Sequence, residues 1–313
     1  MPAIGHLTKP ALANDTLARG RLRAALIPDC LIEAQRVANI VTAGWHGRRK
    51  RGIGDNFWQL RQFTEGESVS QIDWRRSARD DNLYIRDNEW ETSHTVWLWA
   101  DLSPSMFFQS DMSDVSKDSR ALVILFALAE ILSRSGERIA MPGVMEPTLA
   151  RNGAERLAQA LMARKLVKAD NELPDLSKIT NIADIILISD FLGDAEKLFE
   201  RIAPATKHHI RGHLVEINDP AEEVFPYSGR VEFSEPETNS RIVAGKAGML
   251  ADDYKQAFAN RRAALREQIR RIGWSYNTHR TDRPASEILV TVHRFLAGQI
   301  EAKNKLHFET GTI

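Results

Sequence analysis

Asp101, Ser103, Ser105 and Asp190 are the residues whose types and spacing could do chemistry together. Asp101-Leu102-Ser103-Pro104-Ser105 places a carboxylate and two hydroxyls at alternate positions, and Asp190 closes the run Ile185-Ile186-Leu187-Ile188-Ser189-Asp190. Oxygen donors of this kind suit a hard cation such as Mg²⁺, which prefers near-octahedral oxygen ligation and retains several waters. Taken alone, the first segment is also an ordinary helix-cap sequence, because Asp and Ser favour helix starts. Its position is what points to a site. Both segments follow apolar strands, and in an open α/β sheet ligands collect beyond the carboxyl ends of the strands.

The elements that must position these residues can be read from periodicity. Thr95 to Ala100 is apolar on both alternating faces, which suits a central parallel strand covered on each side. Ser119 to Arg134 is a helix apolar nearly all round and therefore buried. The alternation continues with a strand at Glu137 to Val144, a helix at Glu155 to Leu166 and a strand at Ala183 to Ser189. A helix at Asp194 to Ile202 and a strand at Ile210 to Ile217 follow. This order predicts an α/β fold, a doubly wound and mostly parallel sheet with helices on both faces. Beyond it come an edge hairpin around Arg230 to Val243, a basic amphipathic helix from Ala251 to Ile272, a strand at Trp274 to Thr278 and a helix from Ala285 to about Ala302. Ahead of the sheet, Leu31, Ile32, Val37, Ile40 and Val41 mark an amphipathic helix ended by Gly44. Between them lies an Arg/Asp-rich collar with short strands at Trp58 to Phe63 and Leu83 to Asn88. The segments are thus 1–44, a collar over 45–93, the α/β domain over 94–302 and a tail over 303–313.

Composition narrows the function classes. The 313 residues carry 42 Lys plus Arg against 42 Asp plus Glu, so the chain lacks the basic excess that supplies most nucleic-acid affinity. No nucleic-acid partner is expected. The single Cys30 allows neither an intrachain disulfide nor a thiolate metal site, which fits a reducing, cytoplasmic setting. No run approaches the roughly 20 apolar residues of a membrane span.

Several ordered motifs carry a resemblance to known families. Asp101-Leu102-Ser103-Pro104-Ser105-Met106 resembles the metal-ion-dependent adhesion site of von Willebrand factor A domains. The run Gly54 to Phe63, then Gly66-Glu67, Ile72-Asp73-Trp74-Arg75 and Ser77-Ala78-Arg79, is similar to the signature of the bacterial family called domain of unknown function 58. Gly136-Glu137-Arg138-Ile139, Ile188 to Leu192, and Asn218-Asp219-Pro220-Ala221-Glu222-Glu223 extend the likeness. The resemblance implies a von Willebrand A-like fold and a non-enzymatic adaptor or chaperone-like factor that acts with a MoxR-type AAA+ ATPase or its protein client. It also implies that Asp101, Ser103, Ser105 and Asp190 hold Mg²⁺ or another divalent ion. The family pattern of such sites includes a Thr on the loop before the second helix. That loop here reads Arg151-Asn152-Gly153-Ala154-Glu155, so either Glu155 supplies the oxygen, the site is weak, or the motif persists without its metal. An alternative function is a divalent-metal-dependent hydrolase using Asp101 and Asp190 to activate water.

Other features read as scaffold. Asp73-Trp74-Arg75 suits a buried anchor with a packed indole, and the surrounding Arg and Asp residues suit a network of carboxylate pairs. Gly47-Arg48-Arg49-Lys50-Arg51-Gly52 lacks the Lys and Ser or Thr of a phosphate loop. Its cations could touch phosphate or the anionic surface of a membrane peripherally, although such a cluster is usually a solvated loop. His208, His209 and His213 flank a strand without an evident carboxylate and read as surface or core residues.

Overall fold

A computed structural model describes residues 16–46, 57–63, 72–79, 82–88, 94–163, 176–177, 179, 183–207, 210–234 and 240–296. In chain order the elements are α1 (Thr16–His46), β1 (Phe57–Gln62), α2 (Trp74–Ser77), β2 (Tyr84–Asn88), β3 (Thr95–Ala100), α3 (Lys117–Arg134), β4 (Arg138–Met141) and β5 (Met145–Thr148). They continue with α4 (Gly153–Ala163), β6 (Ala183–Ser189), α5 (Ala195–Lys207), β7 (Arg211–Asn218), α6 (Pro220–Val224), β8 (Val231–Ser234), β9 (Arg241–Ala244), α7 (Ala251–Arg271) and β10 (Ser275–Arg280). Residues 285–296 form α8. The chain divides into two compact units, one of residues 1–45 with 94–313 and one of residues 46–93.

The larger unit is mixed α/β. Its six-stranded sheet has the order β10-β7-β6-β3-β4-β5, parallel throughout except for the antiparallel edge pair β4–β5. The strands of a parallel sheet are covered on both faces and so read as unbroken apolar runs. In β6 every residue is buried. Ile186 and Ile188 face a core built from α1, α3, α4 and α8, whereas Ile185 and Leu187 face a second core built from α5 and α7. Nearly all of α3 is buried, as its all-round apolarity predicts. On α1 the residues Ile27, Cys30, Ala34, Val37, Ala38 and Val41 recur every three or four positions and fill the first core.

The strand order contains one reversal. From β3 the chain passes to β4 and β5 on one side, then returns to β6 on the other side of β3 and continues to β7 and β10. The ends of β3 and β6 therefore flank a topological switch point, the usual binding crevice of an open α/β sheet.

Several expectations are corrected. The strand expected over 137–144 ends at Met141, and the chain turns through Gly143, at φ +68°, into the unforeseen antiparallel strand β5. α5 continues through Pro204 to Lys207. Among the described residues no helix is long and apolar enough to cross a membrane.

The smaller unit holds the antiparallel pair β1–β2 and the single turn α2, whose cap Asp73 accepts from the Arg76 N–H at 3.1 Å. Trp74 is not the buried anchor expected of it: the first residue of this one-turn helix leaves its side chain 59% exposed. The basic stretch 47–52, His208 and His209, the acidic residues Asp55, Glu65, Glu67, Asp80 and Asp81, and the tail 303–313 lie outside the described residues.

Candidate functional site at the switch point

Where β3 ends, the Asp101 N–H donates to the Ile188 carbonyl at 2.8 Å and pins the start of the loop against β6. The loop then folds back on its own carboxylate. Asp101 Oδ1 accepts from the Ser103 N–H at 2.7 Å, and Oδ2 accepts from Ser189 Oγ at 2.7 Å. The Ser103 and Ser105 hydroxyls lie 3.0 Å apart, and Ser105 is also hydrogen-bonded to Asp190. The structure thus brings Asp101, Ser103, Ser105 and Asp190 into one hydrogen-bonded cluster, with Ser189 as an added member.

A residue missed in the sequence reading sits at its centre. Lys117, the first residue of α3, donates from Nζ to Asp190 Oδ2 at 2.8 Å and to Glu222 Oε1 at 2.7 Å, with its side chain only 1% exposed. Glu222 is held ready by a capping box on α6: its Oε2 accepts from the Asp219 N–H at 2.8 Å, while Asp219 Oδ1 accepts from the Ala221 N–H at 2.8 Å. Asp219 also accepts from the N–H and hydroxyl of Ser110, which ties the loop after β3 to the end of β7. The signal for Glu222 was present in the Asp219-x-x-Glu222 spacing, a capping box starting a helix. Lys117 carried no such signal, since its partners are 73 and 105 residues away in sequence.

The charges are unevenly perturbed. Burial pushes the Asp101 carboxyl above its ordinary range and the like charge of Asp190 adds to this, against the hydrogen bonds from Ser189 and Ser103. Burial also works to raise Asp190, but the Lys117 ammonium outweighs it and holds the carboxyl low. Glu222 is raised by burial despite Lys117. For Lys117 the desolvation that would lower it is overcome by Asp190 and Glu222, so the ammonium form is held firmly.

Backbone strain accompanies the cluster. Phe191, directly after Asp190, has φ +46°, a left-handed conformation that is rare for a bulky residue. Its N–H donates to Ser189 Oγ at 3.1 Å, and its carbonyl accepts from Arg261 Nη1 at 2.7 Å. Arg261 also donates to buried Glu216 at 2.7 Å, and Arg262 to Glu223 at 2.8 Å. The basic helix α7 therefore turns these arginines inward as clamps, while Leu265 and Ile269 pack its apolar face.

Glu155 does not join the site. β5 runs antiparallel to β4, so the chain enters α4 at the opposite edge of the sheet from the ends of β3 and β6. There Glu155 Oε1 accepts from Gln35 Nε2 of α1 at 2.9 Å. His213 lies within β7 and does have carboxylate company, with Nε2 4.0 Å from Asp184 Oδ1 and Nδ1 2.8 Å from Ser275 Oγ. Asp184 itself is gripped by both Nε and Nη2 of Arg211, at 2.6 and 2.8 Å.

The residues present do not fit a divalent ion well. Both oxygens of Asp101 and both of Asp190 already accept hydrogen bonds, and the one on Asp190 Oδ2 comes from a cation. Among the described residues no three His, Cys, Asp or Glu side chains are grouped as a metal-binding set. The arrangement can present hydroxyl and carboxylate acceptors at a rigid surface, with its charge offset from within.

Fold and cluster together define a mixed α/β protein with a hydroxyl, carboxylate and ammonium cluster at the switch point of its sheet. The chain belongs to the family described as protein of unknown function DUF58, whose model matches residues 59–264. Uncharacterized proteins of Mycobacterium tuberculosis and Mycobacterium bovis are each 26% identical to it over 314 aligned residues, which cover 95% of this chain and 95% of theirs. Among solved structures, BatB from Bacteroides thetaiotaomicron matches with a TM-score of 0.36 and 13% identity, over 66% of this chain and 100% of that one. An aerotolerance-related membrane protein from Bacteroides fragilis matches with a TM-score of 0.39 and 12% identity, over 64% of this chain and 98% of that one. Likenesses at these scores establish no common fold.

Proposed function

We propose that this protein is a non-enzymatic, protein-binding adaptor of the von Willebrand factor A-like kind. Its binding face is the sheet edge around Asp101, Ser103, Ser105 and Asp190, and its partner is a MoxR-type AAA+ ATPase or that ATPase's client. The observation that carries this reading is the juxtaposition of these four residues at the adjacent ends of β3 and β6, held by hydrogen bonds to one another. Leu192 and Met112, exposed to 41% and 43%, stand beside Asp190 and Ser110 and supply the apolar contact area on which protein interfaces draw. Cys30 suits a reducing cytoplasm as a structural thiol: it is buried in the first core, and its pKa is pushed up to about 12, chiefly by that burial. A hydrolase built on Asp101 and Asp190 would need a further ligand or base; of the two carboxylates that could supply it, Glu155 lies at the other end of the sheet, and Asp194 accepts from the Glu196 N–H at 2.9 Å at the start of α5.

Co-purification with a MoxR-type ATPase from the same organism tests the proposal. The wild type is retained in a complex, and Leu192→Asp combined with Met112→Asp, both at exposed positions, abolishes retention without lowering the melting temperature. Equal retention of the two proteins would move the interface elsewhere, and no retention of either would remove the ATPase as partner.

A further inference from the structure

We propose that the ammonium of Lys117 is the resident cation of this site, standing in for the divalent ion that an Asp-x-Ser-x-Ser segment with a second Asp would otherwise hold. This deepens the adaptor reading, on which it rests only for what the face is used for; the chemistry of the site is separable from the partner.

The ammonium sits where a bridging cation would. Nζ bridges Asp190, at the end of β6, and Glu222, on α6, at 2.8 and 2.7 Å, so one cation joins three elements. A metal ion at such a site does the same work of cross-linking strand-end carboxylates. The ammonium also lies 5.7 Å from the centre of the Phe108 ring, which contributes a further attraction from the loop after β3.

The position itself disfavours a lysine. A cation on the first residue of a helix opposes the positive end of the helix dipole, and burial of an ammonium strips it of water. Both penalties fall on Lys117, which opens the 18-residue helix α3 and is nearly inaccessible. Two carboxylates committed to it offset them. Those carboxylates are then not available to a second cation, which would be repelled by an ammonium already seated on Asp190.

The remaining carboxylate acceptors are occupied as well. Asp190 Oδ1 accepts from the Leu192 N–H at 3.2 Å, and the Asp101 oxygens are occupied by Ser103 and Ser189. The cluster is hydrogen-bonded throughout with the lysine as its only cation among the described members. Such a face keeps its shape in the presence of a chelator, and divalent ions do not gate what it binds.

Calorimetric titration of MgCl₂ and MnCl₂ into the purified chain, with melting curves in EDTA and in Mg²⁺, tests this. The wild type gives no saturable heat and melts at the same temperature in both. Lys117→Met removes the charge and donors at similar length, melts lower in EDTA, and recovers on addition of Mg²⁺ or Mn²⁺ with a saturable binding heat. If that variant does not fold in EDTA, refolding in Mg²⁺ replaces the melt: recovery of folded protein with the ion supports the proposal, and failure in both buffers overturns it. A wild type that binds Mg²⁺ stoichiometrically, with the heat lost in Asp190→Ala, overturns it, as does a folded Lys117→Met that takes up no ion. Because these readouts use the metal alone, their failure leaves the adaptor reading standing, and loss of ATPase retention leaves this one standing.

Discussion

Ser110 and Asp219, 109 residues apart, are joined twice, by backbone N–H to Oδ2 at 3.0 Å and by hydroxyl to Oδ1. The same carboxylate caps α6 and so places Glu222 against Lys117. Asp219 is fully buried, which makes it the anchor of the loop after β3 as well as of the capping box.

Asp219→Ala should therefore act beyond a lost cap. It leaves the buried N–H of Ala221 and the half-buried N–H of Ser110 without their acceptor, at a cost of about 1–3 kcal/mol for a buried donor and less for the half-buried one. We expect a loss of about 3 kcal/mol in urea unfolding, and roughly half of that for Asp219→Asn, which keeps one acceptor oxygen.

Asp101→Asn is expected to stabilise the protein. Burial and the neighbouring charge of Asp190 raise the folded-state pKa of Asp101, so the folded form binds its proton more readily than the unfolded chain. Stability from this group is present at acid pH and is lost as pH rises through the folded pKa. The amide removes that cost while still accepting from Ser103 and donating to Ser189. A gain of about 1 kcal/mol at pH 7, a few degrees in Tm, should vanish in strong acid. A less stable variant at pH 7 would contradict this charge assignment.

Acidification acts through two histidines in the opposite sense. Burial is the main cause that lowers both His213 and His279 to about 4, opposed at His213 by Asp184 and reinforced by Arg211, and reinforced at His279 by Arg120. Between the ordinary histidine value near 6.5 and about 4, the unfolded chain takes up protons that the folded protein declines. Stability thus falls as pH drops through that window, by about 2 kcal/mol per histidine from pH 7 to pH 5. His279→Gln should remove one share of the slope in denaturant melts at the two pH values; an unchanged slope would show that this histidine is not responsible.

Gly212 has no room for a side chain. A Cβ there would meet Trp274 ring atoms at 1.8 and 2.0 Å, and the ring cannot retreat because its Nε1–H donates to the Ile210 carbonyl at 3.1 Å within the second core. Gly212→Ala should cost about 3 kcal/mol, the upper end for overpacking a core. Thermal melting will show it, and a neutral result would mean that β10 can slide relative to β7.

Much of this molecule was legible in sequence because its elements are strongly periodic. The apolar runs of β3 and β6 and the all-apolar face of α3 could be recognised as the buried middle of an α/β sheet, and the polar residues ending those runs marked its switch point. β5 escaped notice because Met145-Glu146-Pro147-Thr148 is a short edge strand of mixed polarity, with no alternation to give it away. Trp74 departs from its sequence expectation because an aromatic side chain favours burial, which a one-turn helix does not enforce.

By itself, the sequence determined the local elements, the parallel character of the sheet and the presence of hydroxyls and carboxylates where strands end, since these depend on spacing along the chain. Only the tertiary structure decided which charges meet. The antiparallel turn into β5 sends Glu155 to the far edge, and the strand order sets the end of β7 beside that of β6, so that Glu222 reaches the lysine that opens α3. Long-range pairing of this kind follows from strand order and chain direction, which no local pattern of residue types records.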